Sequence, residues 1–312
     1  MAEPRIGVVG ATGAVGQVTL ELLAERGFGE VRAFASERSA GSTVSYADGE
    51  LVVEEATGDS LHDLDLCFFS VGTGPSSELV PVAVAGGAVC VDKSSAFRLT
   101  DGVPLVVPEV NGDRAPAHQG IVANPNCSTI QLACVLEPLR EAAGLRSVRV
   151  ATYQSASGAG ADSMRRLEAQ DSVEGNVVGD WELEGDDFEE ESKLRAESRK
   201  ILELPELAFS AACARVPVLV GHSQAIWVET ETPLSAADAR EILSSAPSVS
   251  VQDLATPRDA VGRDEVLVGR IREDTAGPGL ALFTVCDNLR KGAALNAIQI
   301  AELLLERQAL AA

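Results

Sequence analysis

A chain of 312 residues, 46% hydrophobic and 23% charged, has room for one large or two ordinary buried cores and the balance of a globular protein. With 47 acidic against 25 basic residues its net charge is −22, which repels nucleic acid and anionic membranes and excludes both as expected partners. No apolar run approaches the roughly 20 residues of a membrane span, and the first, 6–16, is broken by glycine without a cleavage-type tail, so a cytoplasmic protein is expected.

Arg5-Ile-Gly-Val-Val9 reads as a strand, followed by Gly10-Ala-Thr-Gly13-Ala-Val-Gly16 and a helical pattern with Val15, Val18, Leu22 and Leu23 on one side. Gly-x-x-Gly-x-x-Gly between strand and helix is a variant of the dinucleotide fingerprint, in which glycines let the backbone approach a pyrophosphate resting on the helix N-terminus. Glycine turns also open ordinary βα units, so the weight of this motif lies in its place after the first strand. The next strand, 31–35, ends at Ser36-Glu37-Arg38-Ser39, where such a fold reads the adenosine ribose. An acid there favours NAD and an arginine accommodates a 2′-phosphate; Arg38 between two serines points to NADP. Strand-like runs at 66–71, 88–91, 103–107 and 121–123, with a turn at Gly72-Thr-Gly-Pro and a helix over 77–85, predict a doubly wound parallel sheet.

None of the six cysteines forms a Cys-x-x-Cys pair, so no zinc or dithiol site is expected. Cys67, Cys90, Cys213 and Cys286 lie in apolar strand-like runs and Cys134 in a helical pattern, where cysteine acts as a small buried hydrophobe. Cys127 differs. Asn124-Pro-Asn-Cys127-Ser-Thr129 closes a strand and opens a helix running to about Ala143, so the thiol meets the positive end of the macrodipole, which favours the thiolate. Asn126, Ser128 and Thr129 offer donors to an oxyanion. Of three histidines, His62 and His118 read as surface loop residues. His222, at a glycine interrupting the apolar run 215–221, is either a satisfied core histidine or the base that a cysteine nucleophile needs.

A second domain should begin near Cys127. Strands at 147–154, 207–215, 225–232, 265–272 and 280–286 predict a mixed or antiparallel sheet, one face covered by helices at 160–170, 189–202 and 235–244. A last helix from Lys291 to about Gln308 carries Leu295, Ile298, Ala301 and Leu305 at helical spacing and should pack back on the first domain. The expected organisation is a Rossmann-type dinucleotide-binding domain over 1–126, completed by 290–312, and an α+β catalytic and dimerisation domain over 127–289.

Eight stretches, in order along nearly the whole chain, resemble the aspartate-semialdehyde dehydrogenase family. They are Val9-Gly-Ala-Thr-Gly-Ala-Val-Gly16, Ala35-Ser-Glu-Arg-Ser-Ala-Gly41, Ser94-Ser-Ala-Phe-Arg98 and Val103-Pro-Leu-Val-Val-Pro-Glu-Val-Asn111, then Asn124-Pro-Asn-Cys-Ser-Thr-Ile130, Thr152-Tyr-Gln-Ser-Ala-Ser-Gly-Ala-Gly160, Arg215-Val-Pro-Val-Leu-Val-Gly-His222 and Asp287-Asn-Leu-Arg-Lys-Gly292. Asn-Pro-Asn-Cys-Ser is similar to the branch typical of Gram-positive bacteria.

The resemblance implies reversible, NADPH-dependent conversion of L-aspartyl-4-phosphate to L-aspartate-4-semialdehyde and phosphate, in lysine, threonine and methionine biosynthesis. Cys127 would be the thioester-forming nucleophile, His222 the acid/base and Gln154 the group that orients the substrate. Arg215 would clamp the α-carboxylate, a role suited to its bidentate fork. Glu190 would take the ammonium, with Arg98, Asn126 and Lys193 at the phosphate or oxyanion site. NADP would meet Gly10, Thr12, Gly13, Ala14, Val15, Ser36, Arg38, Ser39, Ser157, Gly158 and Asn288. No metal is implied, and the assembly would be a homodimer or a tetramer. A related acyl-phosphate reductase, such as one for N-acetyl-γ-glutamyl phosphate, and a non-catalytic NADP-binding paralogue stand as alternatives. Three departures stand out: Glu37 beside the 2′-phosphate site, Lys93 where the family more often has asparagine, and a short, acidic 174–189 stretch.

Overall fold

The computed structural model describes residues 3–169 and 175–310; Gln170, Glu174 and the last two residues, on which parts of the expected elements fall, lie outside them. Two compact units are present, one of residues 1–125 with 293–312 and one of residues 126–292.

The first unit carries a seven-stranded sheet. Its chain runs β1 (Ile6–Val9), α1 (Ala14–Glu25), β2 (Val31–Ala35), β3 (Thr43–Tyr46), β4 (Gly49–Glu55), β5 (Leu66–Phe69), α2 (Thr73–Ala85), β6 (Val89–Asp92), α3 (Pro108–Asn111) and β7 (Ile121–Ala123). The order is β3-β4-β2-β1-β5-β6-β7, parallel except for the β3–β4 pair. Strands buried on both faces, such as β1, β5 and β6, read as unbroken apolar runs because helices cover both sides. One face packs Leu20 and Leu23 of α1 with Leu295, Ile298, Ala301 and Leu304 of the C-terminal helix Leu295–Glu306, and the other packs Val80 and Ala83 of α2. The expected stripe on that last helix is corrected at one position: Leu304 lies in the core and Leu305 is only half-buried.

Four other expectations change. Residues 103–107 form no strand; Val106 N–H donates to Ala123 O and Ala123 N–H to Pro104 O, leaving a single bridge at Leu105, because Pro104 has no N–H to extend a ladder. Thr73, Gly74 and Pro75 belong to the first turn of α2, where a missing proline N–H costs no intrahelical bond. The β3–β4 hairpin, absent from the sequence reading, extends the sheet past β2. His118 is buried, with Nδ1 accepting from Gly120 N–H and Nε2 against Ala309 O at 2.9 Å.

Lys93, at the end of β6, donates from Nζ to Thr19 Oγ1 of α1 at 3.0 Å. Burial pushes its amine from 10.5 down to about 7, against the pull of neighbouring Asp92. A lysine depressed in the folded state costs stability below that value, and the cost fades as pH rises from about 7 toward 10.5. Lys93→Met should therefore raise Tm at pH 6, by about 2–4 °C per kcal/mol gained, with a smaller difference at pH 10. Thermal unfolding at both pH values measures this; a variant less stable than the parent at pH 6 contradicts it.

The second unit runs α4 (Cys127–Ala143), β8 (Ser147–Gln154), α5 (Ala161–Glu168), β9 (Leu183–Glu184), β10 (Asp187–Phe188), α6 (Glu189–Ile201), β11 (Ala208–Arg215), β12 (His222–Glu229), α7 (Ala236–Ser245), β13 (Val249–Val251), α8 (Pro257–Ala260), β14 (Val266–Glu273) and β15 (Leu280–Cys286). The sheet order is β11-β8-β12-β15-β14-β13, mixed, with parallel pairs at its two edges. Helices α4, α6 and α7 lie against this sheet, whereas α5 packs chiefly on the 3-10 turn Ala156–Ala159. Strand β12 starts at His222, three residues before the expected 225, so the histidine is a strand residue rather than a loop residue. Among the described residues no helix is long and apolar enough to cross a membrane.

Candidate active site

Strand register gathers the polar side chains at neighbouring ends of β11, β8 and β12. In the parallel β11–β8 pair Arg215 stands opposite Gln154, and in the antiparallel β12–β8 pair Ser223 stands opposite Tyr153, which sets His222 beside the end of β8. Alternation along β8 turns Val148, Val150, Thr152 and Gln154 inward. Cys127 is the first residue of α4. Asn126 caps that helix, its Oδ1 accepting from Ser128 N–H at 2.8 Å, and the first turn holds no acid to oppose the dipole at the thiol.

His222 Nε2 lies 3.1 Å from Cys127 Sγ. The cysteine is half-buried and the histidine fully buried. The histidine is therefore the cysteine's partner rather than a core histidine satisfied elsewhere. Nδ1 accepts from Ser155 N–H at 3.0 Å, which places the proton of the neutral ring on Nε2, facing sulfur. Burial, and secondarily the Arg215 guanidinium, lower the imidazole's pKa to about 3, so the ring is neutral at working pH. Ser155 also holds Arg215 Nη1 through its carbonyl at 3.1 Å, so one residue contacts both His222 and Arg215.

Glu190, 6% exposed, sits in the first turn of α6 and accepts from Asn126 Nδ2 at 3.0 and 3.1 Å and from Gln154 Nε2 at 2.8 Å. Neutral amide donors keep this buried carboxylate hydrogen-bonded without neutralising it, so its charge remains available to a cation. Lys193, on the same helix, pairs with Glu189 at 2.8 Å. Asn126 is thus committed to the helix cap and to Glu190. Ser128 and Thr129, the other two residues offered as oxyanion donors, are fully buried.

Ser157 and Asn288 hydrogen-bond one another and Ser155 behind His222, and Asn288 Oδ1 also accepts from Gly221 N–H. A Cβ at Gly158 would stand 2.9 Å from both Arg215 Nη1 and His222 Cε1, so only glycine admits both side chains. Three further residues escaped the sequence reading. Ser155 backs the histidine, Glu197 accepts Asn126 N–H at 2.7 Å, and Gly292 faces the Cys127 Cβ so closely that a Cβ there would stand 3.1 Å away. Ser155 and Gly292 lie inside quoted motifs; Glu197 carries no local signal.

In the first unit Gly10 has φ +86°, a conformation that favours glycine, and a Cβ at Gly16 would collide with Gly10 O, so the loop and the start of α1 are built for close backbone approach. Thr12, Gly13, Ala14 and Val15 line this loop. Ser36, Glu37 and Arg38 are exposed after β2, with Ser39 half-buried. Arg98, buried, donates to Asn124 O at 3.1 Å and Lys93 O at 2.6 Å.

A parallel dinucleotide-type sheet and a mixed-sheet unit bearing a cysteine–histidine pair make this an NAD(P)-dependent dehydrogenase. Residues 5–118 match the semialdehyde dehydrogenase NAD binding domain and residues 136–291 the semialdehyde dehydrogenase dimerisation domain. The chain belongs to the aspartate-semialdehyde dehydrogenase family. It is 44% identical to the enzyme of that name from Corynebacterium glutamicum, over 96% of this chain and 99% of the relative, and 40% identical to that from Bacillus subtilis, over 96% of each. Aspartate semialdehyde dehydrogenase II from Vibrio cholerae, solved in complex with ASA, superposes with a TM-score of 0.93 at 36% identity, covering 98% of this chain and 99% of that one. The Candida albicans enzyme, solved with NADP, gives 0.80 at 29% identity over 99% and 100%.

Proposed function

We propose that the chain catalyses NADPH-dependent reductive dephosphorylation of L-aspartyl-4-phosphate to L-aspartate-4-semialdehyde, reversibly, through a thioester on Cys127, as a cytoplasmic homodimer supplying lysine, threonine and methionine biosynthesis. The observation that carries the reading is the 3.1 Å Sγ–Nε2 pair at the N-terminus of α4, set among Gln154, Glu190 and Arg215. The Cys127 thiolate attacks the acyl carbon, the C–O bond to phosphate breaks, and the leaving phosphate is assigned to Arg98 and Lys193. Arg215 takes the substrate carboxylate and Glu190 its ammonium. The Nε2–H of His222 donates to whichever atom carries the negative charge, first the thiolate, then the oxyanion formed when the thioester is reduced, and the thiolate again as the aldehyde departs.

The loop at Gly10–Gly16 and the group Ser36, Arg38 and Ser39 fit a dinucleotide with a 2′-phosphate, and NADPH bound there supplies the hydride. Ser157 and Asn288 support His222 through Ser155, and Gly158 leaves room for the ring. A substrate with an acylated amine has no ammonium for Glu190, which disfavours the N-acetylglutamyl reductase reading.

The test follows NADPH absorbance with L-aspartate-4-semialdehyde, phosphate and NADP, with NAD and N-acetyl-L-glutamate-5-semialdehyde in parallel. Phosphate-dependent NADPH production with the aspartate compound is expected. Turnover of the N-acetylated compound alone would move the enzyme to the sister reductases, and equal rates with NAD would remove the assigned role of Arg38.

A further inference from the structure

The short acidic stretch before α6 is strapped onto the amino-acid end of the site. Val178 N–H donates to Arg215 O at 3.1 Å and Arg215 N–H to Val178 O at 2.8 Å, an isolated antiparallel bridge to the last residue of β11. The next residues are held by packing. Gly179 lets the Phe188 ring lie on the backbone where a Cβ would collide, and the Trp181 and Phe188 rings pack with centroids 6.1 Å apart. This strap brings two side chains to one guanidinium: Trp181 lies under it, with Cζ 4.6 Å from the ring centroid, and Asp180 Oδ2 accepts from Arg215 Nε at 3.2 Å.

We propose that Asp180 is an internal stand-in for the substrate's α-carboxylate: it occupies the Nε side of Arg215 in the free enzyme and is displaced when the amino-acid carboxylate takes the two-pronged Nε/Nη2 face, making Asp180 a determinant of apparent substrate affinity. The inference rests on the reading of Arg215 as the carboxylate clamp. Two features of the pair support it. The Arg215 side chain is 5% exposed, so it is fixed, while Asp180 is 39% exposed and can swing into water. The contact is also a single hydrogen bond, whereas an incoming carboxylate can make two parallel ones. Trp181 keeps the guanidinium plane in place throughout the exchange.

The test compares Asp180→Asn, Arg215→Ala and the double variant, using L-aspartate-4-semialdehyde and its counterpart without a carboxylate, 3-aminopropanal. Asparagine keeps the shape and an acceptor oxygen but removes the competing charge. Asp180→Asn should lower KM for the semialdehyde about threefold to fivefold at unchanged kcat, as expected for a partly exposed ion pair, and leave KM for 3-aminopropanal unchanged. In the Arg215→Ala background the Asp180 substitution should have no effect. An unchanged or raised KM for the semialdehyde in Asp180→Asn, while Arg215→Ala raises it strongly, overturns the stand-in and leaves the clamp. If Arg215→Ala leaves that KM unchanged, the clamp reading itself has failed, and the stand-in with it.

Discussion

Replacing Cys127 by alanine should abolish turnover, by about 10⁴-fold or more, while leaving the affinity for NADPH unchanged. The sulfur is the only atom of the chain assigned to bond with substrate, and no neighbour can replace it. The other described cysteines are buried, and burial pushes the Cys67 and Cys286 thiols above the ordinary range and Cys213 to about 12. The change removes one atom from a half-buried position and takes the sulfur partner from the buried Nε2–H of His222, a loss of about 1–3 kcal/mol, and thermal unfolding should show the variant still folded. The expected cofactor contacts at Gly10–Gly16 and Ser36–Ser39 belong to the other compact unit. Steady-state rates and fluorescence titration with NADPH check both halves. A variant retaining more than about a hundredth of the parent rate would remove the thioester from the mechanism.

His222→Ala should cost about 10²–10³-fold in kcat, the typical loss of a donor aimed at developing negative charge. Its pH behaviour tests the state of the ring. Because burial and Arg215 hold the folded imidazole at about 3, no inflection in kcat/KM between pH 5 and 7 should belong to His222. The same shift has a stability consequence. The unfolded chain binds a proton near pH 6.5 that the folded chain refuses until about pH 3, so stability falls as pH drops through that interval. The alanine variant lacks this contribution, and its stability should depend less steeply on pH between about 6.5 and 3. Denaturant titrations at several pH values give the slopes. Equal slopes for parent and variant, or an activity inflection near 6.5 lost in the variant, would mean that the folded ring takes a second proton readily and acts as an imidazolium acid.

The sites in the sequence were legible to different degrees. Cys127 stood out because capping residues, a helix start and a thiol coincide within a few residues, and that coincidence is local. The dinucleotide loop was legible for the same reason: a tight turn between β1 and α1 needs glycine at fixed spacing, and Gly10 at φ +86° shows the need. Residues 103–107 misled because apolar content says nothing of where hydrogen bonds can go, and Pro104 withholds one. The β3–β4 hairpin was missed because a sheet-edge pair such as this carries half-exposed, mixed side chains without a clean apolar run.

The sequence by itself pointed to a parallel first sheet, a mixed or antiparallel second sheet, a cysteine at a helix start and the family, since each follows from short-range pattern or from ordered motifs. It left His222 between a core residue and a catalytic one. Only the tertiary structure set its Nε2 3.1 Å from a sulfur 95 positions away and filled Nδ1 with the N–H of Ser155. It also decided that Glu190, among neighbouring glutamates that look alike in sequence, is the one enclosed by Asn126 and Gln154, and that Asp180 meets Arg215. The physical reason is common to all three. Strand register and helix docking fix which side chains meet across long stretches of chain, and whether a polar group is a ligand, a base or a surface charge depends on those partners and on the water they exclude.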